Sequence, residues 1–492
     1  MSTSTASSTL STPVRNLIDG KWSDAGSVHE SVNPSTGDVV GTFYSAGRAE
    51  GEAAIAAART AFDTTDWSRS AALRARALYE LADRLAERVP TLARTLMQEN
   101  GKLLDQTTWE VKLSVDSLRY SAASALTQVA GRAAEPEPGM YFYSAPEPMG
   151  VAGIITPWNS PVILLVRALG PALGAGCTTV VKMPGQTALT NALFAEAVAA
   201  TTSLPAGVVN ILTEAGNEVA PLLVASPGVD VVNYTGSTQV GRSIAAAAGP
   251  TLKRLGLELG GKAPLIVFDD VDLDMVVPQL VASSIMMNGQ FCCTGARVLV
   301  QRGIADELRT RLASALEAVK VGPAEDPSSQ LGPLINKDAV ARLDRFIQDA
   351  TSYATVIVRG GPVTEPELAR GAFFRPALLE VEELDVPLVQ QELFGPVQTF
   401  EVFEDEADAI RRANATEFGL AASVFTGNDI RARQVGRDLR FGAIWVNTWG
   451  LLTEHFEQGG VKQSGYGVLC GPAAITEFQN LKTYASAAPR SA

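Results

Sequence analysis

The 492-residue chain has only two histidines, His29 and His455. Histidine is the usual base beside a nucleophilic cysteine or serine, so a nucleophile here must rely on another group. Cysteine is almost as scarce. Cys177, Cys292, Cys293 and Cys470 are too few for a disulfide scaffold, and no two have the CxxC spacing of a zinc site. No metal is expected, and a reducing cytoplasm is the expected location. Lys and Arg form no runs and the net charge is -13, so neither a nucleic acid nor an anionic membrane surface is expected as a partner. No uncharged apolar run reaches the length needed to span a bilayer. Residues 1–12 are rich in Ser and Thr, have no apolar stretch and precede the first basic residue, Arg15. They read as a disordered tail, not a signal peptide.

What the chain does have is core-forming material: 46% of residues are hydrophobic and 19% charged, over a length that exceeds one typical domain. Residues 51–129 alternate apolar and charged positions at helical spacing. The texture then changes to short β-branched runs at 151–156, 178–182, 208–212 and 230–234, separated by stretches of helical length such as 187–201 and 237–248. A second series follows at 264–268, 296–301, 397–400, 422–425 and 443–446, with an amphipathic stretch at 305–320. Near-continuous apolar strands alternating with helices require parallel sheets covered on both faces. The expected fold is therefore α/β, with two doubly wound Rossmann-like lobes meeting near Gly260 and Gly261. The Pro/Gly-rich stretch 131–148 and the end of the chain are candidate extensions that pair with another subunit.

Four segments carry chemistry. Cys292 lies in Asn288-Gly-Gln-Phe-Cys292-Cys293-Thr-Gly295, where the glycines allow the tight backbone that presents a sulfur beside an amide N–H; the alternative is a buried cysteine acting as a small hydrophobe. Cys293 is expected to point elsewhere. Glu258 ends an apolar run and precedes Gly260-Gly261. It is either a base whose pKa is raised by burial or the partner of Lys253 or Lys262. Asn159 follows the strand at 151–156, where open α/β sheets bind ligands, and its amide suits an oxyanion; a helix N-cap before Pro161 is the other reading. Tyr234-Thr-Gly236-Ser237 is a strand-to-helix turn that would aim N–H groups at a pyrophosphate, although it is not the GxGxxG fingerprint. Lys182 either reaches a ribose or extends along the surface.

These segments together resemble the aldehyde dehydrogenase superfamily from about residue 15 to 485. The resemblance is carried by Ile-Thr-Pro-Trp-Asn159, Tyr-Thr-Gly-Ser237-Thr, Glu258-Leu-Gly-Gly-Lys, Gly-Gln-Phe-Cys292, Glu392-Leu-Phe-Gly-Pro396, Trp445-Val-Asn447 and Gly459-Gly-Val-Lys-Gln-Ser-Gly465. It implies a cofactor-binding domain at 13–130 and 149–259, a catalytic domain at 260–465, and a small β oligomerisation arm at 131–148 and 466–492, in a homodimer or homotetramer. It also implies that Cys292 is the nucleophile, that Asn159 with the Cys292 N–H holds the oxyanion, and that Glu258 activates water to hydrolyse a thioester. The implied cofactor site comprises Thr156, Pro157, Trp158, Lys182, Gly185, Gly236, Ser237, Val240, Glu258, Leu259, Gly260, Glu392 and Phe394. Glu392 would bond the nicotinamide ribose, Phe394 pack by the ring, Ser237 sit at the pyrophosphate, and Lys182 at the adenosine ribose.

Two departures from the family pattern stand out. After the lysine, the chain reads Lys182-Met-Pro-Gly185 where Pro-Ser/Ala-Glu is common, so the carboxylate that would repel a 2′-phosphate is missing and NADP is expected to be accepted beside NAD. Near the end, Glu457-Gln458-Gly459-Gly460 and Gly467-Val468-Leu469 replace Pro-Phe-Gly-Gly and Gly-Arg-Glu. The expected substrate is an aromatic or medium-chain apolar aldehyde in a funnel formed by Trp158, Val162, Phe291, Trp449, His455 and Phe456; ordinary core packing is the alternative. Arg167 or Arg119 would serve an acidic aldehyde. The rival functions are a CoA-acylating aldehyde dehydrogenase, in which CoA takes the acyl group and the hydrolytic glutamate is typically absent, a thiol hydrolase using His455, and a non-catalytic protein on the same fold.

Overall fold

Two runs of short apolar strands dictate the architecture. The computed structural model describes residues 12–127 and 131–487. The expected tail up to residue 11, the end of the helical stretch at 128–129 and the last arm residues, 488–492, lie outside the described residues.

The first sheet has five parallel strands at its centre, in the spatial order Val209–Glu214, Thr178–Pro184, Val151–Ile155, Val231–Thr235 and Arg254–Glu258. Strand Val151–Ile155 is buried throughout because helices cover both faces. Pro161–Ala175 and Ala188–Ala199 pack on one face, and Arg48–Thr64, Val219–Ala225 and Thr238–Ala248 on the other. The strand order reverses direction between Val151–Ile155 and Val231–Thr235, so a crevice opens past their carboxyl ends. The residues at that crevice are 156–159 and 236–237.

The second sheet runs Thr355–Val358, Ala377–Glu380, Val397–Phe403, Gly295–Gln301, Ala263–Val267, Ala421–Phe425, Ala443–Val446; all neighbours are parallel except the first pair. It presents to the crevice the amino ends of its strands, preceded by residues 260–262, 291–294 and 420.

Strands Ala133–Glu137, Met140–Pro148 and Gln479–Ala487 form a separate antiparallel sheet. The expected arm segment 466–492 is too long. Tyr466 pairs with Leu257 in the first sheet, and Ile475 and Phe478 are buried in the first lobe's core, so 466–478 belongs to that lobe. Its apolar side chains have a core to enter there, which an exposed arm does not offer.

At the centre of the second sheet Arg297 and Glu401, on adjacent strands and both fully buried, form a two-pronged pair: Nε donates to Oε1 at 2.8 Å and Nη2 to Oε2 at 2.7 Å. Arg297 also donates to the carbonyls of Arg412 and Ala413. Removing one partner strands a charge in a low dielectric. We predict that Arg297→Met lowers stability by about 3–5 kcal/mol, read from urea unfolding; a loss under about 1 kcal/mol would contradict this account of the core.

Candidate active site

Cys292 is presented by a turn that few sequences adopt. Met287, Asn288 and Gly289 have φ of 52°, 60° and 71°, a left-handed run that costs non-glycine residues roughly 1–2 kcal/mol each. The buried Asn288 side chain holds it by donating to the carbonyls of Gly101 and Pro333 and accepting from the Gly332 N–H, all at 2.8 Å. Gly289 must be glycine, because a Cβ there would overlap the backbone of Gly395 and Pro396. The turn leaves Cys292 half-buried and Cys293 buried, with the two sulfurs 4.0 Å apart and unbonded.

Asn159 comes off the carboxyl end of Val151–Ile155 and donates from Nδ2 to the Gln290 carbonyl at 3.0 Å. It does not cap the following helix, whose N-cap residue is Ser160. That helix start is fixed instead by Glu110, which accepts from the Val162 and Ile163 N–H groups at 3.0 and 3.3 Å and pairs with buried Lys102.

Glu258, at the end of its strand, is buried, and its Oε1 has no hydrogen-bond partner among the described residues. The expected alternative of a lysine partner is not taken: Lys253 donates to the carbonyls of Ser226 and Val229, and Lys262 makes no ion pair with Glu258. Burial pushes the Glu258 carboxyl well above the ordinary carboxylate range; negative charge on Cys292 and Glu477 adds to the rise and Arg167 opposes it.

Cys292, Glu258 and Asn159 line one cavity of about 360 Å³. So do Pro157, Trp158, Gly236, Ser237, Leu259, Gly260, Phe291, Glu392 and Phe394 from the sequence reading. Thr156, Lys182, Gly185 and Val240 lie outside that lining. Thr156 bonds the Lys182 carbonyl at the neighbouring strand end, and Lys182 Nζ is 3.9 Å from Glu214.

Four expected funnel residues are elsewhere. Val162 is fully buried in the first lobe's core. His455 is exposed against Tyr120, with ring centroids 5.4 Å apart. Phe456 is 72% exposed. Trp449 sits behind Phe291, its Nε1 donating to the Cys293 carbonyl at 2.9 Å. The cavity instead takes Ser160, Ile163, Leu164 and Arg167 from one helix. Their spacing of i, i+3, i+4, i+7 is one helical face, a signal present in the sequence once Asn159 is placed. Val162 is about 150° round the helix from that face. Arg119 is exposed and paired with Asp83.

The residues fit a dinucleotide. Helix Thr238–Ala248 starts at the cavity with Ser237 as its N-cap, which aims N–H groups at an anion. Gly236 is packed against Tyr234 so that a Cβ would overlap the phenol, leaving the backbone open to close approach. Glu392 accepts from the Gly261 N–H at 3.0 Å, and burial raises its pKa to about 7.

Residues 22–484 match the aldehyde dehydrogenase family model. The chain belongs to the aldehyde dehydrogenase family. Mitochondrial succinate-semialdehyde dehydrogenase of Arabidopsis thaliana is 37% identical over 470 residues, covering 95% of this chain and 88% of that protein. Glutarate-semialdehyde dehydrogenase of Pseudomonas putida is 35% identical over 475 residues, covering 94% and 96%. The structure of Staphylococcus aureus betaine aldehyde dehydrogenase in complex with NAD+ superposes with a TM-score of 0.93 at 32% identity, covering 96% and 95%. This aldehyde dehydrogenase accordingly uses NAD or NADP, and no helix among the described residues is long and apolar enough to cross a membrane.

The raised Glu258 pKa has a thermodynamic consequence. An acid with a higher pKa folded than unfolded binds more protons in the folded state, so stability falls as pH rises from the unfolded value of roughly 4.3 towards the folded one. We predict that Glu258→Gln gains stability relative to the parent enzyme between pH 5 and pH 8 by thermal unfolding. A difference independent of pH would mean that Glu258 titrates normally.

Proposed function

We propose that this aldehyde dehydrogenase oxidises an uncharged aromatic or medium-chain aldehyde to its carboxylic acid by way of a Cys292 thioester that water hydrolyses. The observation that carries this reading is the meeting of Cys292, Asn159 and a buried, partnerless Glu258 in one cavity.

The Cys292 sulfur forms a bond to the aldehyde carbon, and the carbonyl oxygen takes the electron pair as an oxyanion. The Asn159 amide and the Cys292 N–H donate to it. NAD(P)+, when bound, would supply the hydride acceptor for the oxidation that a thioester requires. Ser237 and Gly236 would hold its pyrophosphate, Glu392 the nicotinamide ribose, Phe394 the ring and Lys182 the adenosine ribose. Glu258 then takes a proton from water as its oxygen attacks the thioester carbon; the C–S bond breaks, freeing the thiolate and the acid. A base with a raised pKa holds that proton well near neutral pH, and turnover rises with pH as Glu258 ionises.

Water is favoured over CoA as acyl acceptor because the buried Glu258 is in place. A thiol hydrolase is disfavoured because His455 lies outside the cavity. The walls Ile163, Phe291, Trp445, Leu452 and Leu469 support an apolar substrate. Four free cysteines suit a reducing cytoplasm, and the exposed Tyr141, Tyr143, Leu481 and Tyr484 of the three-stranded sheet suit pairing with a second copy.

Reduced-cofactor absorbance over a panel of aldehydes tests the reading. Cys292→Ala is expected to abolish turnover. Glu258→Gln is expected to keep a first-turnover burst of reduced cofactor and lose about 10²–10⁴-fold in steady state. Loss of the burst as well would remove Glu258 from the hydrolytic step.

For the cofactor, no carboxylate stands at 185, where a Cβ would press on Phe43 and Ala215 at 3.0 and 3.1 Å, but Glu214 supplies one beside Lys182. Both NAD and NADP are expected to serve within about tenfold in kcat/KM, roughly 1.4 kcal/mol, with Lys182→Ala lowering NADP use more than NAD use. A wider preference for NAD would reject dual use.

A further inference from the structure

Of the two arginines that line the cavity, Arg167 and Arg342, Arg167 is paired with a carboxylate from within the protein. Arg167 projects from helix Pro161–Ala175 into the lining, 6% exposed. Its Nε and Nη2 donate to Glu454 Oε1 at 3.1 and 2.6 Å, and its Nη1 donates to Gln458 Oε1 at 3.3 Å. The second Glu454 oxygen accepts from Cys470 at 3.3 Å. The acid is itself tied down, since its carbonyl accepts from the Gly471 N–H at 3.0 Å, and Gln458 and Leu469 exchange backbone bonds at 2.7 and 2.6 Å. The segments that depart from the family pattern thus supply both Gln458, a partner of Arg167, and Leu469, which braces the loop.

We propose that Glu454 is a specificity-determining residue: it occupies the guanidinium that a carboxylate-tailed aldehyde would bind, so the cavity selects aldehydes with no net charge. The inference rests on the dehydrogenase reading and adds the residue that excludes charged substrates. An unpaired Arg167 among Ile163, Phe291, Trp445 and Leu452 would be a strong carboxylate anchor, because a guanidinium binds a carboxylate through two parallel N–H groups. With Glu454 in that place, an incoming carboxylate brings a second negative charge beside the first in a poorly screened site. An ammonium tail meets Arg167 in the same way. The pair sums to zero, and the wall at Ile163, Leu164, Phe291, Trp445 and Leu452 is apolar.

Pentanal, 5-oxopentanoate and an ammonium-tailed aldehyde of equal length, with one cofactor, test this. The parent enzyme is expected to favour pentanal over 5-oxopentanoate by about tenfold or more in kcat/KM, and Glu454→Gln to cut that ratio about tenfold, mainly through KM for the acid. Arg167→Leu/Glu454→Leu, which removes both charges, is expected to retain the parent ratio. A turnover-independent readout accompanies these: butanoate should raise the Tm of Glu454→Gln and leave the parent unchanged, with butanamide as the uncharged control. If Glu454→Gln does not fold, Arg167→Gln reads the same balance from the other side, and the ammonium-tailed aldehyde should gain about tenfold. A parent enzyme that prefers 5-oxopentanoate overturns the proposal. So does a ratio unmoved by whichever of the single variants Glu454→Gln and Arg167→Gln folds. Absence of Cys292-dependent turnover with every aldehyde overturns the dehydrogenase reading alone, and the butanoate shift then decides the role of Glu454.

Discussion

The left-handed turn at Met287, Asn288 and Gly289 is the constraint on which the site depends. It joins segments distant in sequence: Asn288 bonds the backbone at Gly101, Gly332 and Pro333, Met287 N–H donates to Gln106 at 3.2 Å, and the Gln290 carbonyl receives Asn159. Two non-glycine residues in this conformation cost roughly 1–2 kcal/mol each. Three buried hydrogen bonds from one amide return about 0.5–1.5 kcal/mol apiece, a comparable sum. The turn is therefore held by its surroundings and not by local preference, and the position of Cys292 is a property of the assembled fold.

Buried acids elsewhere in the chain set Glu258 apart. Glu110 has Lys102 and two backbone N–H groups. Glu99 accepts from Ser31, Leu189 and Thr190, and Glu454 has Arg167. Each of these has its charge met by hydrogen-bond or ion-pair partners. Glu258, unlike these three, has a buried oxygen with no hydrogen-bond partner, in a cavity with a thiol. Glu214 has such an oxygen as well, but it lies 3.9 Å from Lys182 Nζ, whereas Glu258 has no ion-pair partner among the described residues. A carboxylate in that position disfavours its own charge by several kcal/mol, which is tolerable in a folded protein only if the group can carry a proton part of the time. That is what a base between two protonation states requires.

Most of the fold was legible because its strands are buried on both faces and so appear as continuous apolar runs; the expected strands at 151–156 and 296–301 differ from the observed Val151–Ile155 and Gly295–Gln301 by one residue. The pairing of Tyr466 with Leu257 was not legible, since a two-residue strand has no periodicity. Cys292, Glu258 and Asn159 were visible through flanking glycines and strand ends. Val162 was misplaced because nearness to Asn159 in sequence says nothing about which helical face enters the cavity. His455 and Phe456 were misplaced because aromatic character cannot distinguish a cavity wall from an exposed loop. The Arg167–Glu454 pair, 287 residues apart, has no local signature at all.

The two sheets meet with opposite polarity, and this decides how acid and thiol come together. The first sheet offers carboxyl ends of strands and the second offers amino ends, so the chain leaves the first at Glu258 and enters the second at Ala263 within five residues. Strand Ala263–Val267 pairs with Gly295–Gln301, starting at Ala263 opposite Gly295, which puts the crossing beside the segment that carries Cys292. The crossing is so close that a Cβ at Gly261 would overlap the Cys292 carbonyl, and one at Gly260 would overlap the Glu392 carboxyl. The two glycines therefore do more than permit a bend. Their missing side chains set the separation between Glu258, Cys292 and Glu392, and a methyl group at either would push one of the three out of place.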